Sequence, residues 1–232
     1  QQDGDEYQFD FTDVDRYIDL GRKAGFEAFE FPHLFTQWGA GNAIPVYSGQ
    51  GADEKLLISR SDSATGVTYR RFLASFLPRF HRYLETNNLL DGARFHISDE
   101  PHGDDDKTRY VAARGLIREL APWMKTMDAV SELAYGAEGL TDCPIPVINK
   151  VTEYVARGIH CGAYFCCGQK GRLVNRFMDT PITKIKALAW LLYRFRAHVH
   201  LFLHWGYNYW YRSQTRTLID PFTVTDAERW PG

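Results

Sequence analysis

Two spacings of apolar residues, one helical and one of period 2, take turns along this chain. The helical one comes first. Val14, Tyr17 and Ile18 share a face over residues 12–24, Thr12-Asp13 offers a cap, and Gly25 ends the run. Phe26 to Phe31 then alternates as a short strand and stops at Pro32. From His33 to about Gly51 the chain is Gly-rich and without periodicity, long enough for a connection that carries function. Residues 68–85 return to helical spacing through Tyr69, Phe72, Leu73, Phe76, Phe80, Tyr83 and Leu84, with Pro78 predicting a kink. Residues 93–100 alternate again, Phe95 and Ile97 against His96 and Ser98, until Pro101 disfavours helix at Glu100 and removes a donor.

A helix over 103–120 follows, its Asp104-Asp105-Asp106 start suited to the positive end of the helix dipole. Strands are predicted at 129–135, 145–149 and 162–167, with a short helix at 151–157 before the third. Thr180-Pro181 reads as an N-cap and first-turn pair opening a helix to about His198, and His200 to Trp205 is the last strand. Strands and helices in alternation, with short connections, predict an α/β fold wound as a (β/α)8 TIM-type barrel. Six strands are countable where a closed barrel of this type needs eight, and two open edges are a hazard natural folds avoid. The expectation is a partial barrel lacking the first two βα units. Residues 1–232 then form a single catalytic barrel domain, a fragment of a longer chain, since neither an initiator Met nor a signal-peptide pattern opens it.

Charge and composition exclude several partners. A net charge of −2 gives no electrostatic case for nucleic acid or an anionic membrane surface, and no apolar run approaches the ~20 residues of a membrane span. Cys143, Cys161, Cys166 and Cys167 lack zinc-type spacing and read as free core thiols, which weakly favours a reducing, cytoplasmic compartment.

Candidate chemistry gathers where strands end. His33, Gln37 and Trp38 follow the first strand; His96, Asp99, Glu100 and His102 close the second. Later ends supply Tyr135 with Glu138, Asn149 with Glu153, Gln169, and finally His204, Trp205, Tyr207, Asn208 and Trp210. Each alone has a structural explanation. Their recurrence at the same end of successive strands is what a barrel active site requires. Aromatic faces cover the C–H face of a sugar while short polar groups take its hydroxyls, so a neutral carbohydrate ligand fits this set. A phosphate-bearing cofactor does not: Gly39-Ala-Gly41 lacks a strand–turn–helix context, and no cofactor or metal is expected.

Asp99 and Glu100 are adjacent, and that adjacency bears on mechanism. Ordinary glycosidases hold two carboxyl groups ~5–9.5 Å apart to straddle the scissile bond. Neighbouring residues straddle poorly. They suit a substrate-assisted scheme, in which the sugar's own 2-acetamido oxygen attacks the anomeric carbon. Glu100 is then the acid/base and Asp99 the anion that orients the acetamido N–H. A like charge beside Glu100 favours its protonated form. Strand alternation puts His96, Ser98 and Glu100 on the lumenal face, so Asp99 has to turn inward at the strand's end.

Three segments carry a resemblance: Phe31-Pro-His-Leu-Phe-Thr-Gln-Trp-Gly39, His96-Ile-Ser-Asp-Glu-Pro-His102 and Phe202-Leu-His-Trp-Gly-Tyr-Asn-Tyr-Trp210. In this order they resemble the catalytic domain of glycoside hydrolase family 123, over the whole chain. The resemblance implies a (β/α)8 barrel with two further βα units upstream, and retaining, substrate-assisted removal of terminal β-linked N-acetylgalactosamine. It implies Asp99 and Glu100 as the catalytic pair. By analogy with other substrate-assisted hexosaminidases, Tyr135 would bond the acetamido oxygen and Trp205 would form the sugar platform.

Two other readings compete. One is a sugar-binding module or incomplete barrel that keeps the aromatic rim without turnover. The other is a metal-dependent hydrolase using His96, Asp99, His102 and His33, although an Asp-Glu-Pro turn offers no convergent ligand set.

Overall fold

The computed structural model describes residues 2–3, 6–49, 51–166, 168–177, 179–204, 211–212 and 217–218. The chain divides into two compact units, Gln1–Pro146 and Val147–Gly232.

The first unit opens with a small antiparallel pair, β1 (Gln2–Asp3) and β2 (Glu6–Tyr7). Helix α1 (Thr12–Lys23) starts without a cap from Thr12. Asp10 instead accepts both the backbone N–H (2.9 Å) and the hydroxyl (2.6 Å) of Thr12. Ile18 is buried on its inner face while Tyr17 is exposed. Strand β3 (Phe29–His33) begins three residues later than the alternation predicts and runs through Pro32. The stretch expected to be one structureless loop contains an antiparallel hairpin, β4 (Val46–Ser48) and β5 (Lys55–Ile58). Strands of three and four residues are too short for period 2 to stand out.

Helix α2 (Val67–Thr86) matches its predicted span and accommodates Pro78 in its interior. Its aromatic ladder explains its place in the core: Phe72, Phe76 and Phe80 stack at one-turn spacing, centroids 5.7 and 5.1 Å apart. Phe80 meets Phe31 of β3 edge-on at 5.1 Å, and Phe95 stacks on Phe31 at 5.5 Å. The outer faces of β3 and of β6 (Ala93–His96) thus bury against α2. Helix α3 (Gly103–Leu120) carries the predicted acidic first turn and leads to β7 (Met127–Asp128). The predicted strand at 129–135 is not formed. Its second half is a short helix, α4 (Leu133–Ala137), whose five residues are too few to show a helical period, and β8 (Cys143–Pro144) follows. β3 pairs parallel with β6, a parallel bridge joins Phe95 to Thr126 just before β7, and β7 pairs parallel with β8.

In the second unit, α5 (Val151–Val155) precedes β9 (Cys161–Phe165), which is wholly buried. Helix α6 (Ile182–Phe195) leads to β10 (Val199–His204), parallel to β9. The predicted Thr180 cap is absent, and Pro181 itself stands at the N-cap position with no side-chain bond. Two short pairs of residues, β11 (Tyr211–Arg212) and β12 (Thr217–Leu218), form an antiparallel ladder. Cys161 is buried, whereas Cys166 lies past the strand and is half-buried; Cys143 is half-buried in the first unit. In the first unit β3, β6, β7 and β8 run parallel, and in the second β9 and β10 do; the strand predicted at 145–149 is reduced to a parallel bridge from Val147 to Tyr164. Among the described residues they form small parallel sheets within a mixed α/β fold, with no closed barrel. No described helix is long and apolar enough to cross a membrane.

Candidate active site

β3 and β6 end side by side, and the segments that leave them interlock. Ser98 is fully buried; its hydroxyl donates to the Thr36 carbonyl (2.8 Å) and accepts the Ala40 N–H (3.1 Å). The Trp38 N–H donates to the Asp99 carbonyl at 2.8 Å. Thr36 and Asn42 close the base of this loop through mutual hydrogen bonds of 3.0 to 3.2 Å. Within it Trp38, Gly39 and Ala40 take φ of 58°, 96° and 55°, three left-handed residues in succession, and Glu100 opposite has φ 41°. Left-handed backbone at Trp, Ala and Glu costs of order 1–3 kcal/mol each and persists where surrounding contacts over-determine it. Three of the four such non-glycine residues described lie here.

Gly39 is required twice over. Its φ favours glycine, and a Cβ there would lie 2.7 Å from the Asp106 backbone Cα at the start of α3. Gly39→Ala is expected to destabilise the protein by about 2–6 kcal/mol, the sum of the backbone and overpacking terms. Urea unfolding checks it, and a loss under about 0.5 kcal/mol would show that the loop yields freely.

Six of the predicted residues come together in this corner: His33, Gln37, Trp38, His96, Asp99 and Glu100. The Gln37 amide donates to Asp99 Oδ2 at 3.3 Å, and the Trp38 side chain is 62% exposed at the rim. Burial and the neighbouring Glu100 charge push the Asp99 carboxyl up to about 6, against the Gln37 bond and His96. His33 and His96 face each other, ring centroids 4.8 Å apart. Burial and the adjacent His96 hold His33 down at about 4, so it is the neutral ring of the two. His33 and His96 also floor an open groove of about 560 Å3 that runs along α1 and β3.

Beneath the pair lies a layer that sequence patterning does not single out. His96 Nε2 is 2.7 Å from Glu30 Oε1, and its Nδ1 is 3.7 Å from Asp128 Oδ1, an ion-pair rather than hydrogen-bond distance. Burial works against the protonated imidazole, yet Asp128 and Glu30 outweigh it and raise His96 to about 9. Burial also raises the fully enclosed Asp128 carboxyl, opposed by His96, Tyr110 and the Ser98 N–H. Donors decide this pair: the Tyr110 hydroxyl (2.7 Å) and the amides of Ile97 (2.8 Å) and Ser98 (3.1 Å) all converge on Asp128, which favours carboxylate facing imidazolium. The available signal for Asp128 was a single charge inside the apolar run Met127–Val130.

The remaining predicted residues lie elsewhere. His102 is exposed at the start of α3, with Nδ1 3.8 Å from Glu132. Tyr135 is fully buried in α4 with its ring edge-on to Tyr110, and its hydroxyl is enclosed without a hydrogen-bond partner. The His204 side chain and Trp205, Tyr207, Asn208 and Trp210 fall outside the described residues. Among the described residues no three His, Cys, Asp or Glu side chains converge as a metal ion would need.

Residues 1–232 match the family profile described as glycoside hydrolase 123, catalytic domain. The chain belongs to glycoside hydrolase family 123. A similar solved structure is a family 123 glycoside hydrolase from Clostridium perfringens, determined in work on glycolipid glycan hydrolysis. The TM-score is 0.59 at 16% identity, over 86% of this chain and 36% of the clostridial one. The present chain thus spans about a third of that enzyme's length. No curated protein sequence matches it. At this identity the clostridial structure speaks for the fold of the family 123 chain alone.

Proposed function

We propose that residues 1–232 are one catalytic domain of a glycosidase that removes terminal β-linked N-acetylgalactosamine from glycans or glycolipids. The reading includes a (β/α)8 barrel as its frame, in which β3, β6, β7, β8, β9 and β10 are six of the staves. The observation that carries it is the adjacent Asp99–Glu100 pair at the carboxyl end of β6, within a family 123 chain. Two neighbouring carboxyl groups cannot flank a sugar ring as an ordinary glycosidase pair does. They can serve one face of it.

In this mechanism Glu100 donates its proton to the glycosidic oxygen as the bond to the anomeric carbon breaks. The substrate's acetamido carbonyl oxygen attacks that carbon from the opposite face and closes an oxazolinium ring. Asp99, as carboxylate, accepts a hydrogen bond from the acetamido N–H and stabilises the positive charge that develops there. Glu100 then takes a proton from water, which opens the ring with overall retention. Gln37 fixes one Asp99 oxygen, leaving the other for the substrate. Trp38 stands exposed at the rim, where an aromatic face suits a sugar ring.

The test is turnover of a chromogenic β-N-acetylgalactosaminide by the full-length protein, beside the glucosaminide epimer, with product configuration followed by proton NMR. Cleavage with retention is expected. Inversion would remove the substrate-assisted scheme. A folded protein that binds the sugar and cleaves neither epimer would replace the enzyme with a sugar-binding module.

A further inference from the structure

The backbone between β6 and β7 is not an ordinary parallel ladder. The Phe95 N–H donates to the Lys125 carbonyl (3.2 Å), and the next amide to find a backbone acceptor on that side is Glu100, on the Ala129 carbonyl (3.1 Å). From 95 to 100 is five residues; from 125 to 129 is four. One extra residue is therefore inserted immediately before the carboxylate pair, as in a bulge, and bulges beside active sites re-aim side chains. Of the amides this leaves without ladder partners, Ile97 and Ser98 both donate to Asp128 Oδ1, at 2.8 and 3.1 Å.

Asp128 is built for that task. It is fully buried, its second oxygen accepts the Tyr110 hydroxyl at 2.7 Å, and His96 faces it. On the other flank Ser98 ties the same backbone to the loop at Thr36 and Ala40. A side-chain carboxylate thus substitutes for the missing carbonyls of β7 and fixes where the chain leaves β6.

We propose that Asp128 is a positioning residue for Asp99 and Glu100: by clamping the amides of Ile97 and Ser98 it sets the turn that presents both carboxyl groups to substrate. This rests on the glycosidase reading above for its consequence in catalysis, although the clamp itself does not. Asp128 touches no substrate. Its loss acts through backbone placement, so it moves kcat more than KM, since near-attack geometry is sensitive to displacements of about 1 Å.

The experiment uses the full-length protein with Asp128→Asn, which keeps shape and one acceptor but not the charge, and Asp128→Ala, which removes the clamp. Steady-state kinetics on the chromogenic galactosaminide are paired with amide hydrogen exchange at Ile97 and Ser98. The expected result for Asp128→Asn is kcat at least tenfold lower with KM within threefold. Exchange at Ile97 and Ser98 speeds up while Ala93–His96 keeps its protection. For Asp128→Ala the kcat loss deepens to about a hundredfold, of which the Asn variant restores part. An Asp128→Asn protein with kcat within threefold of wild type overturns the proposal, whatever its exchange. If the wild type cleaves neither epimer, the glycosidase reading fails on its own. The exchange result then decides the clamp: unchanged protection at Ile97 and Ser98 overturns it, and faster exchange retains it.

Discussion

Glu100→Gln in the full-length protein is expected to lower kcat by roughly 10²–10⁴-fold on a natural glycan, the range that a positioned general acid supplies. The loss depends on the leaving group. A sugar hydroxyl departs poorly without a proton, whereas an activated nitrophenolate needs little help. The same variant should therefore lose about tenfold less on the nitrophenyl glycoside than on the glycan, because proton donation is the part of the catalysis that such a substrate bypasses. Equal losses on both substrates would mean that Glu100 does something other than donate a proton. The backbone offers a control: Glu100 sits at φ 41°, and Gln keeps the same chain length and branching there. The variant should retain the wild-type unfolding midpoint.

Asp99→Asn is expected to cost roughly 10²–10³-fold in kcat, comparable to removing one preorganised electrostatic contact to a developing charge. Its second signature is in pH. In the proposed mechanism Asp99 is ionised to accept the acetamido N–H, and burial with the Glu100 charge holds its carboxyl up at about 6. Wild-type kcat/KM should thus fall on the acid side with a midpoint near 6, and that limb should vanish in the Asn variant. The stability consequence has a definite sign. A carboxyl whose pKa is raised from 3.8 to about 6 on folding binds its proton more tightly in the native state, so stability is lost as pH rises through that window. Asn carries no such burden. Asp99→Asn should be at least as stable as wild type at pH 7 while nearly inactive, the pattern of a residue retained for function. An acid limb that survives in the Asn variant would assign the limb to another group and sink the orienting role.

Much of this is legible in the sequence, and the parts that are share a property. Helices α2 and α3 run 20 and 18 residues and repeat their apolar spacing over several turns, so a local pattern places them. β7 and β8 have two residues each, too few for alternation to show, and β7 lies in a run buried on both faces. The false strand at 129–135 arose there: Met127 to Val130 is buried throughout, and the apolar residues of α4 continue the run past Glu132. The hairpin of β4 and β5 escaped for the same want of length.

The site divides along the same line. The sequence alone determined that two adjacent carboxylates end the second strand, that His33, Gln37 and Trp38 end the first, and that the two ends belong to successive βα units. Chain order and strand polarity suffice for that, because parallel neighbours bring their carboxyl ends to one side. Only tertiary structure decided that burial raises the Asp99 pKa, how Trp38 to Ala40 fold into a left-handed turn against Ser98 and Asp99, and that Asp128 stands behind the pair. Asp128 lies 31 residues from the Ile97 amide it binds, and Tyr110 is 18 residues from Asp128. No periodicity reaches across such separations. A side chain that substitutes for missing backbone carbonyls, at the point where two strands differ by a single residue, leaves its trace only when both strands are in place.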